Sequence, residues 1–422
     1  MTTRTRSTRT PVRLTPPVRT SELERIVAPT SADEFLVEFW ERQPLAVSRN
    51  EEGRFDDLLS QQNVERLVCD TGIRYPAFRL VKAGEQIALG DYTTDVPWSP
   101  QPFSRTADVH RVLAEFEAGA TIVLQGLHYN WRPLAEFCRG LEAALGHPVQ
   151  ANAYYTPRGS QGLPVHHDTH DVFVLQVAGH KRWLVYDPVL ELPLRDQRYK
   201  AELGPQGDPV QDLTLAAGDV LYLPRGWMHE ALTSDTDSLH ITVGVNVYSW
   251  IDAMRAAVDS CADDIEFRRS VPAHGEQSVD LLERVRERLA AESVSRRMRS
   301  RLVRSRRPVL GGQLGQLRAL DDLTAGTELR RRPTVIADLE RGPDGAALVF
   351  EGKRISFPAQ AVEAIAFAAA TDGAFRAADL PGELDRPGRL VLVRRLVREG
   401  FLLVNAAIPD ARTGRTGADG TG

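Results

Sequence analysis

The sequence predicts an α+β protein built around an antiparallel barrel or jelly roll. Between Gln150 and Tyr248, short β runs alternate with turns rich in Gly and Pro, while helical periodicity precedes and follows this region. Such a density of short strands is typical of antiparallel barrels and jelly rolls. The six runs are Ala151–Thr156, Val172–Ala178, Arg182–Tyr186, Asp212–Ala216, Val220–Leu223 and His240–Val247.

The segments on either side are predicted to be helical. Upstream, Thr30 or Ser31 can cap a helix whose apolar side chains recur at helical spacing. Near the C-terminus, helices followed by the strand Phe401–Asn405 suggest a small winged-helix module at about residues 333–406. The predicted helices are Ala107–Ala118, Pro133–Leu145, Trp250–Cys261, Leu281–Arg304, Phe357–Ala370 and Arg389–Arg398, with a strand over Ala120–Gln125.

Length and composition narrow the class of protein. A chain of 422 residues predicts two or three domains, and 42% apolar and 26% charged residues are typical of a soluble globular protein. The net charge of −5 gives no overall attraction to nucleic acid. No apolar run approaches the ~20 residues that span a bilayer, and no signal-peptide pattern opens the chain. Three widely separated cysteines fit a reducing cytoplasm.

Two segments are rich in arginine. Residues 1–20 contain five arginines and no acidic residue, which predicts a disordered basic tail, and residues 296–307 contain seven arginines. A solvated or partner-facing surface is the default interpretation of both, and weak contact with RNA is the sharper alternative. Residues 407–422 are also predicted to be disordered.

One constellation carries the chemistry. His166 and Asp168 form a His-x-Asp pair, and His229 follows a Pro-Arg-Gly turn. On a strand, residues i and i+2 share a face, so the pair would point the same way, and a histidine from a later strand can complete the set. Two imidazoles and one carboxylate on one face of a metal are the ligands of non-heme Fe(II) oxygenases. The sequence therefore predicts an Fe(II) site at His166, Asp168 and His229.

Three further histidines lie near this constellation. His167 is predicted to face away from the ligands, because it falls between them on the strand. His170 is expected to line the pocket, and His240 is either a pocket residue or a rival third ligand. A mere set of unrelated polar residues is the structural alternative.

An iron site with open positions can bind 2-oxoglutarate through its keto and carboxylate oxygens, while the distal carboxylate needs a buried cation. Lys181, fifteen residues after His166, lies on the neighbouring strand, and Asn152, fourteen residues before His166, offers an amide donor. Both are predicted to hold 2-oxoglutarate. O₂ would be the second co-substrate.

The run NAYYTPRGSQGLPVHHD…FVLQVAGHKRW…LPRGWMHEA…SLHITVGV strongly resembles the JmjC-type ribosomal oxygenases of the cupin superfamily. The resemblance begins at FLVEFWERQPLAV and extends through most of the chain. It implies that His166, Asp168 and His229 bind Fe(II), that Lys181 and Asn152 hold 2-oxoglutarate, and that Tyr154 lines the substrate pocket.

The resemblance also implies an organisation and a reaction. The expected parts are a JmjC/cupin catalytic domain (a double-stranded β-helix) at residues 21–249 with helical N-terminal support, a helical dimerisation region at 250–332 and a winged helix at 333–406. The implied activity is hydroxylation of a ribosomal protein by a homodimer. The run HDVF at His170 resembles the bacterial branch and SQGLPVHHD the eukaryotic one, so the acceptor, histidine or arginine, stays open.

Alternatives remain at this stage. The same barrel can carry a cupin metalloenzyme that does not use 2-oxoglutarate, in which case Lys181 and Asn152 would be dispensable. The same oxygenase chemistry can act on a small molecule or a peptide. Demethylation of a methylated lysine ranks low, and a non-catalytic interaction protein is disfavoured by the complete ligand set.

Overall fold

A computed structural model describes residues 11–12, 21–96, 103–160, 163–204, 207–233, 235–271, 273, 279–291 and 294–405. Two compact units make up the chain. The first comprises residues 19–249, and the second comprises residues 1–18 with 250–422.

The described residues of the first unit form two main antiparallel sheets and a separate two-stranded one, and the two main sheets confirm the prediction of an α+β protein with an antiparallel jelly roll. The small sheet has Lys181–Tyr186 in its centre, between Gln211–Leu215 and Met228–Thr233. The large sheet has eight strands, in the order Leu45–Val47, Val220–Leu223, Asp171–Ala178, Ser238–Val245, Val149–Thr156, Thr121–Leu124, Phe78–Lys82 and Glu85–Gln86.

Alternation along the strands explains how the large sheet is buried. Phe173 and Leu175 belong to an apolar cluster that includes side chains of the N-terminal helices. Val172 and Val174 point the other way and pack with Trp183 of the small sheet. A strand buried on both faces reads as a continuous apolar run, as this one does. The helices therefore brace one face of the large sheet and leave the other to the small sheet and to a cavity.

Helices of the first unit cluster mainly before the jelly roll. Ser31 caps the first turn of the predicted N-terminal helix by accepting a hydrogen bond from the Glu34 amide, as expected. A two-stranded hairpin of Thr93–Val96 and Phe103–Ala107 lies beside them in sequence. The helices are Ser21–Val27, Ala32–Glu34, Phe35–Phe39 (π), Gln61–Cys69, Leu89–Tyr92, Val109–Glu117, Leu127–Asn130, Arg132–Leu145 and Ala201–Leu203 (3₁₀).

The second unit mixes helices with two small antiparallel sheets. One sheet has the order Pro11–Val12, Ala337–Gly342, Gly345–Phe350 and Lys353–Pro358, and the other Phe375–Arg376, Glu328–Arg331 and Leu402–Val404. The α-helices are Trp250–Asp259, Val279–Ala291, Val294–Ser305, Gln313–Arg318, Val362–Ala370 and Arg386–Arg398, and the 3₁₀ turns are Ser260–Asp263, Ile265–Arg268, Ala359–Ala361 and Ala377–Asp379.

The structure differs from the sequence predictions in several places. The helix predicted from Phe357 begins only at Val362, because Lys353–Pro358 pairs with a neighbouring strand and continues to a proline. The helix predicted over Leu281–Arg304 is described as two segments. The strand Met228–Thr233 was not predicted.

Arginines of the segment 296–307 form ion pairs within the second unit, whereas the sequence predicted a solvated or partner-facing surface. Arg299 forms an ion pair with Asp338 at 2.8 Å, and Arg304 pairs with Glu340 at 3.2 Å. Of the predicted basic tail, Pro11–Val12 forms a short strand and the rest lies outside the described residues, as does the tail at 407–422. Among the described helices, none has the length and apolar character needed to cross a membrane.

Candidate metal and co-substrate site

The structure brings His166, Asp168 and His229 together. One ligand atom from each lies within 4.8 Å of the others, and the Nε2 of His229 is 3.8 Å from Asp168 Oδ2. The Nδ1 of His166 contacts the Pro164 carbonyl at 2.7 Å, and the Nδ1 of His229 contacts the Trp227 carbonyl at 3.0 Å. These backbone contacts orient both rings, as outer contacts do for metal-binding histidines. The donor set and its spacing fit a divalent metal.

The segment that carries His166 and Asp168 is a loop rather than the predicted strand. Only His166 makes a β-bridge, in which it exchanges two backbone hydrogen bonds of 3.0 and 2.8 Å with His229. The Gly226 amide donates to the Asp168 carbonyl at 3.0 Å. Gly226 has φ +92°, and a Cβ there would lie 2.2 Å from the Leu190 carbonyl oxygen. The two ligands are thus held by backbone contacts with the turn and strand that carry the third.

Electrostatics favour the ionisation states that a metal needs. Burial lowers the pKa of His229 to about 4, with a contribution from His166, so that this imidazole is neutral at pH 7. Desolvation acts to raise the pKa of Asp168, but the imidazoles of His170, His229 and His166 outweigh it and lower that pKa. Neutral imidazoles and an ionised carboxylate are the forms that bind metals.

Lys181 supplies a buried amine in the same cavity. Its side chain is 2% exposed, and burial lowers its pKa from 10.5 to about 7. Its Nζ donates to Thr156 Oγ1 at 3.2 Å, and Thr121 donates to the same oxygen at 3.1 Å. Among the described residues, no carboxylate pairs with Lys181. Because Thr156 accepts two hydrogen bonds, its own proton can be donated to a bound anion, so this cluster fits a carboxylate such as that of 2-oxoglutarate.

Asn152 lines the cavity on the large sheet. Its Oδ1 accepts a hydrogen bond of 2.9 Å from the Gly126 amide, which fixes the orientation of the side-chain amide. Asn152, Tyr154 and Thr156 occupy alternate positions of one strand and share a face. That alternation is a signal by which Thr156, which the sequence analysis missed, could have been found.

Aromatic rings form another part of the cavity wall. Tyr154 and His240 stack with centroids 5.0 Å apart and planes 3° apart, and Trp183 meets His240 edge-on at 5.6 Å. His240 is not one of the three clustered ligands, and burial lowers its pKa well below 6.5, with Lys181 adding to the effect. His170 lines the cavity, whereas His167 is buried with its ring edge-on to Tyr199.

All these groups except His167 and Thr156 line one cavity of about 290 Å³, and Thr156 lies behind Lys181, whose Nζ donates to its hydroxyl. The residues predicted from sequence that line it are His166, Asp168, His229, Lys181, Asn152, Tyr154, His170 and His240. Further polar groups line the cavity at positions that were not predicted from the sequence, namely Arg79, Thr121, Trp183 and Thr242. Arg79 and Thr121 lie on strands far upstream in sequence, and no local pattern connects those strands to the cavity.

Residues 127–253, which include the three clustered ligands, match the JmjC domain family. This segment of the chain is therefore similar to a JmjC domain, in agreement with the resemblance read from the sequence. Its fold, with helices and antiparallel sheets, is that of the JmjC/cupin proteins.

Several curated proteins similar to this chain are named as ribosomal oxygenases or as histidyl-hydroxylases. The chain is 33% identical over 222 residues to the bifunctional lysine-specific demethylase and histidyl-hydroxylase NO66 of Drosophila persimilis. The aligned region is 52% of this chain and 31% of that protein. It is 31% identical to ribosomal oxygenase 1 of Gallus gallus (60% and 42% covered) and 30% identical to ribosomal oxygenase 2 of Rattus norvegicus (60% and 54%). The chain thus spans about a third to a half of these relatives.

Solved structures extend the likeness in fold along most of the chain. The crystal structure of the Escherichia coli ribosomal oxygenase YcfD aligns with a TM-score of 0.52 at 17% identity, covering 88% of this chain and 98% of YcfD. A structure of YcfD in complex with cobalt and 2-oxoglutarate aligns with a TM-score of 0.54 at 18% identity, with the same coverage. At this identity the likeness is one of fold.

Proposed function

We propose that this protein is an Fe(II)- and 2-oxoglutarate-dependent oxygenase that hydroxylates a histidine or arginine side chain of a ribosomal protein. The observation that carries the proposal is that one cavity holds a three-ligand cluster and a buried lysine that pairs with no carboxylate of the described residues. The relatives named as ribosomal oxygenases support the choice of substrate.

Each residue has a proposed role. His166, Asp168 and His229 would hold the metal, and Lys181, Thr156 and Asn152 would hold the co-substrate. When bound, Fe(II) with 2-oxoglutarate and O₂ supplies the oxidising chemistry, and 2-oxoglutarate leaves as succinate and CO₂.

The cavity walls would position the acceptor. Tyr154, His170 and His240 would contact its side chain and hold one of its carbon atoms near the metal. Because the interior is lined by stacked aromatic rings, it also limits access of water to the reacting centre.

The buried amine of Lys181 disfavours the alternative of a cupin metalloenzyme that does not use 2-oxoglutarate. In such an enzyme Lys181 would stay buried without an anion, at the cost that its lowered pKa reflects. An isolated relic site would have no need of such a group. The position of Lys181 in the metal-lined cavity is explained if an anionic co-substrate binds beside the metal.

The second unit would serve assembly of the enzyme. Residues 250–332 would form a helical dimerisation region of a homodimer, and residues 333–406 a winged helix. The protein would act in the cytoplasm, where ribosomal proteins are made. Contact of the arginine-rich residues 296–307 with RNA would be weak at most, since several of these arginines bind acidic side chains of the same unit.

Mass spectrometry tests the substrate. The protein is loaded anaerobically with Fe(II) and 2-oxoglutarate, mixed with purified ribosomal proteins and exposed to air. A one-oxygen mass gain on one ribosomal protein, absent with the Asp168→Ala variant, is the expected result. Succinate formation that no ribosomal protein stimulates would overturn the ribosomal substrate and favour a small molecule or another peptide.

A further inference from the structure

The cavity contains a positive charge that the proposed reaction has not used. Arg79 lies on the strand Phe78–Lys82 and lines the cavity. Its register partners across the large sheet are Val123, then Tyr154, then His240. Side chains in register on neighbouring strands project from the same face of the sheet. Arg79 therefore lies in one row with the two stacked rings proposed to contact the acceptor.

A neighbour fixes part of the Arg79 side chain. Its Nε donates to Gln125 Oε1, and the side chain is partly buried. Among the described residues, no carboxylate lies within ion-pair distance of Arg79. The guanidinium thus brings a charge into the cavity wall that no acidic side chain of the described residues neutralises.

The described side chains that line the cavity include only one acidic group. That group is the carboxylate of Asp168, which is a proposed metal ligand. Burial raises the pKa of Tyr154, Asp168 raises it further, and Arg79 opposes that rise. Tyr154, Asp168 and Arg79 line the same cavity, and Arg79 is separated from Tyr154 in the sheet only by Val123, so an acceptor against Tyr154 lies on the same wall as Arg79.

We propose that Arg79 is a specificity-determining residue that admits an uncharged acceptor side chain and disfavours a cationic one. A guanidinium or ammonium group would meet the like charge of Arg79 without a carboxylate to receive it. A neutral imidazole, an amide or a hydroxyl meets no such repulsion, and the N–H groups of Arg79 can donate to it or to the carbonyl groups of its peptide.

The inference rests on the proposed function and narrows it. Of the two acceptors that the sequence left open, Arg79 favours histidine, whose imidazole is largely neutral above about pH 6.5. At an effective dielectric constant of about 20, two like charges roughly 10 Å apart repel strongly enough to weaken binding about tenfold or more. Arg79 acts by its charge, so a variant that reverses the charge should reverse the preference.

A matched pair of probes isolates the charge. N-acetylcitrulline methylamide and N-acetylarginine methylamide have nearly the same shape, but only the second is cationic. The protein is loaded with Mn(II) and N-oxalylglycine, an unreactive analogue of 2-oxoglutarate. Binding is measured by the relaxation that Mn(II) causes in the protons of each probe, for the wild type and for Arg79→Gln and Arg79→Glu. Arg111→Gln, at an exposed helical position, is the control with the same change of net charge as Arg79→Gln.

The wild type and Arg111→Gln are expected to bind the citrulline probe at least about tenfold more tightly than the arginine probe. Arg79→Gln should reduce this ratio to about threefold or less, and Arg79→Glu should invert it. Equal binding of the two probes by the wild type, or a ratio unchanged in Arg79→Glu with Mn(II) still bound, would overturn the inference. So would the absence of any relaxation of either probe.

The same samples separate this inference from the proposed function. If Mn(II) and N-oxalylglycine bind together but the probes are not discriminated, only the role of Arg79 is wrong. If the wild type fails to bind N-oxalylglycine in a metal-dependent manner, the use of 2-oxoglutarate is wrong, and the inference falls with it.

Discussion

Raising the pH should weaken binding of 2-oxoglutarate, because Lys181 must be protonated to attract its carboxylate. In the structure the buried amine has a pKa of about 7, so that about half of the molecules carry the charge at pH 7. A carboxylate placed beside Lys181 favours the ammonium form and raises its pKa. Affinity is then fully present below pH 7 and is lost progressively as the pH rises from 7 toward the raised pKa of the bound state.

The size of the effect follows from the shift. Burial moves the pKa of Lys181 from 10.5 to about 7, which corresponds to about 5 kcal/mol of unfavourable desolvation of the charge. A bound anion that offsets most of this cost returns the pKa toward its ordinary value. The dissociation constant should therefore rise about tenfold per pH unit above pH 7, and about a hundredfold by pH 9.

Neighbouring groups should not produce this pH dependence. The pKa of His240 lies well below 6.5 because of burial, and the pKa of Asp168 is lowered by the imidazoles around it, so neither titrates between pH 7 and 9. Lys181→Met removes the amine and keeps an apolar side chain of similar length. That variant should bind 2-oxoglutarate weakly and with little dependence on pH.

Titration calorimetry with Mn(II)-loaded protein measures both quantities. In buffers of different ionisation enthalpy at pH 8, binding should take up close to one proton per site in the wild type and none in Lys181→Met. An affinity that is constant from pH 6 to 9, or binding without proton uptake, would refute the reasoning. A pH dependence that persists in Lys181→Met would assign the effect to the metal instead.

Three further predictions concern the jelly roll. Arg225→Met leaves the fully buried Asp171 without the guanidinium that contacts it at 3.0 Å. The free energy of unfolding, measured in urea, should therefore fall by about 3–5 kcal/mol, and a fall of less than about 1 kcal/mol would contradict this. Burial lowers the pKa of His147 to about 4, so between pH 6.5 and 4 the unfolded chain binds a proton that the folded chain does not. Over this range the free energy of unfolding should therefore fall by about 3 kcal/mol less in His147→Asn than in the wild type. An equal fall in the two proteins would exclude this role. Gly226→Ala should weaken Mn(II) binding and stability together, by about 2 kcal/mol or more in stability, because its φ and the adjacent carbonyl leave no room for a Cβ; unchanged metal affinity would show that the turn does not position Asp168.

Much of the jelly roll was predictable because its signal is local. The strands Val220–Leu223 and Asp171–Ala178 read as short apolar runs between glycine and proline turns, and the structure has them within one residue of the predicted ends. The segment from His166 to Asp168 was not predictable in the same way. Its alternation suggests a strand, but its backbone hydrogen bonds are a single bridge with His229 and one bond from the Gly226 amide, both of which are long-range contacts.

In the candidate site too, the residues with a local sequence pattern were predicted and those placed by long-range strand pairing were not. The proposed metal ligands, Lys181 and Asn152 were predicted because their residue types and spacing fit a metal and an anionic co-substrate. Arg79 and Thr121 come from strands that join the large sheet only through pairing with a later strand, so that no spacing along the chain relates them to the ligands. Register across the sheet, which sequence alone does not provide, places them beside Tyr154 and Thr156.

The central claim is that the three clustered ligands and Lys181 form one metal-dependent site for 2-oxoglutarate. The most direct test is succinate formation from 2-oxoglutarate after anaerobic loading with Fe(II) and admission of O₂, for the wild type, His229→Ala and Lys181→Ala. His180→Ala, an exposed histidine outside the cavity, is the matched control. The account predicts succinate from the wild type and the control and a loss of at least about a hundredfold in the other two. Tight metal binding by the wild type without succinate, or turnover at the wild-type rate in His229→Ala, would contradict it.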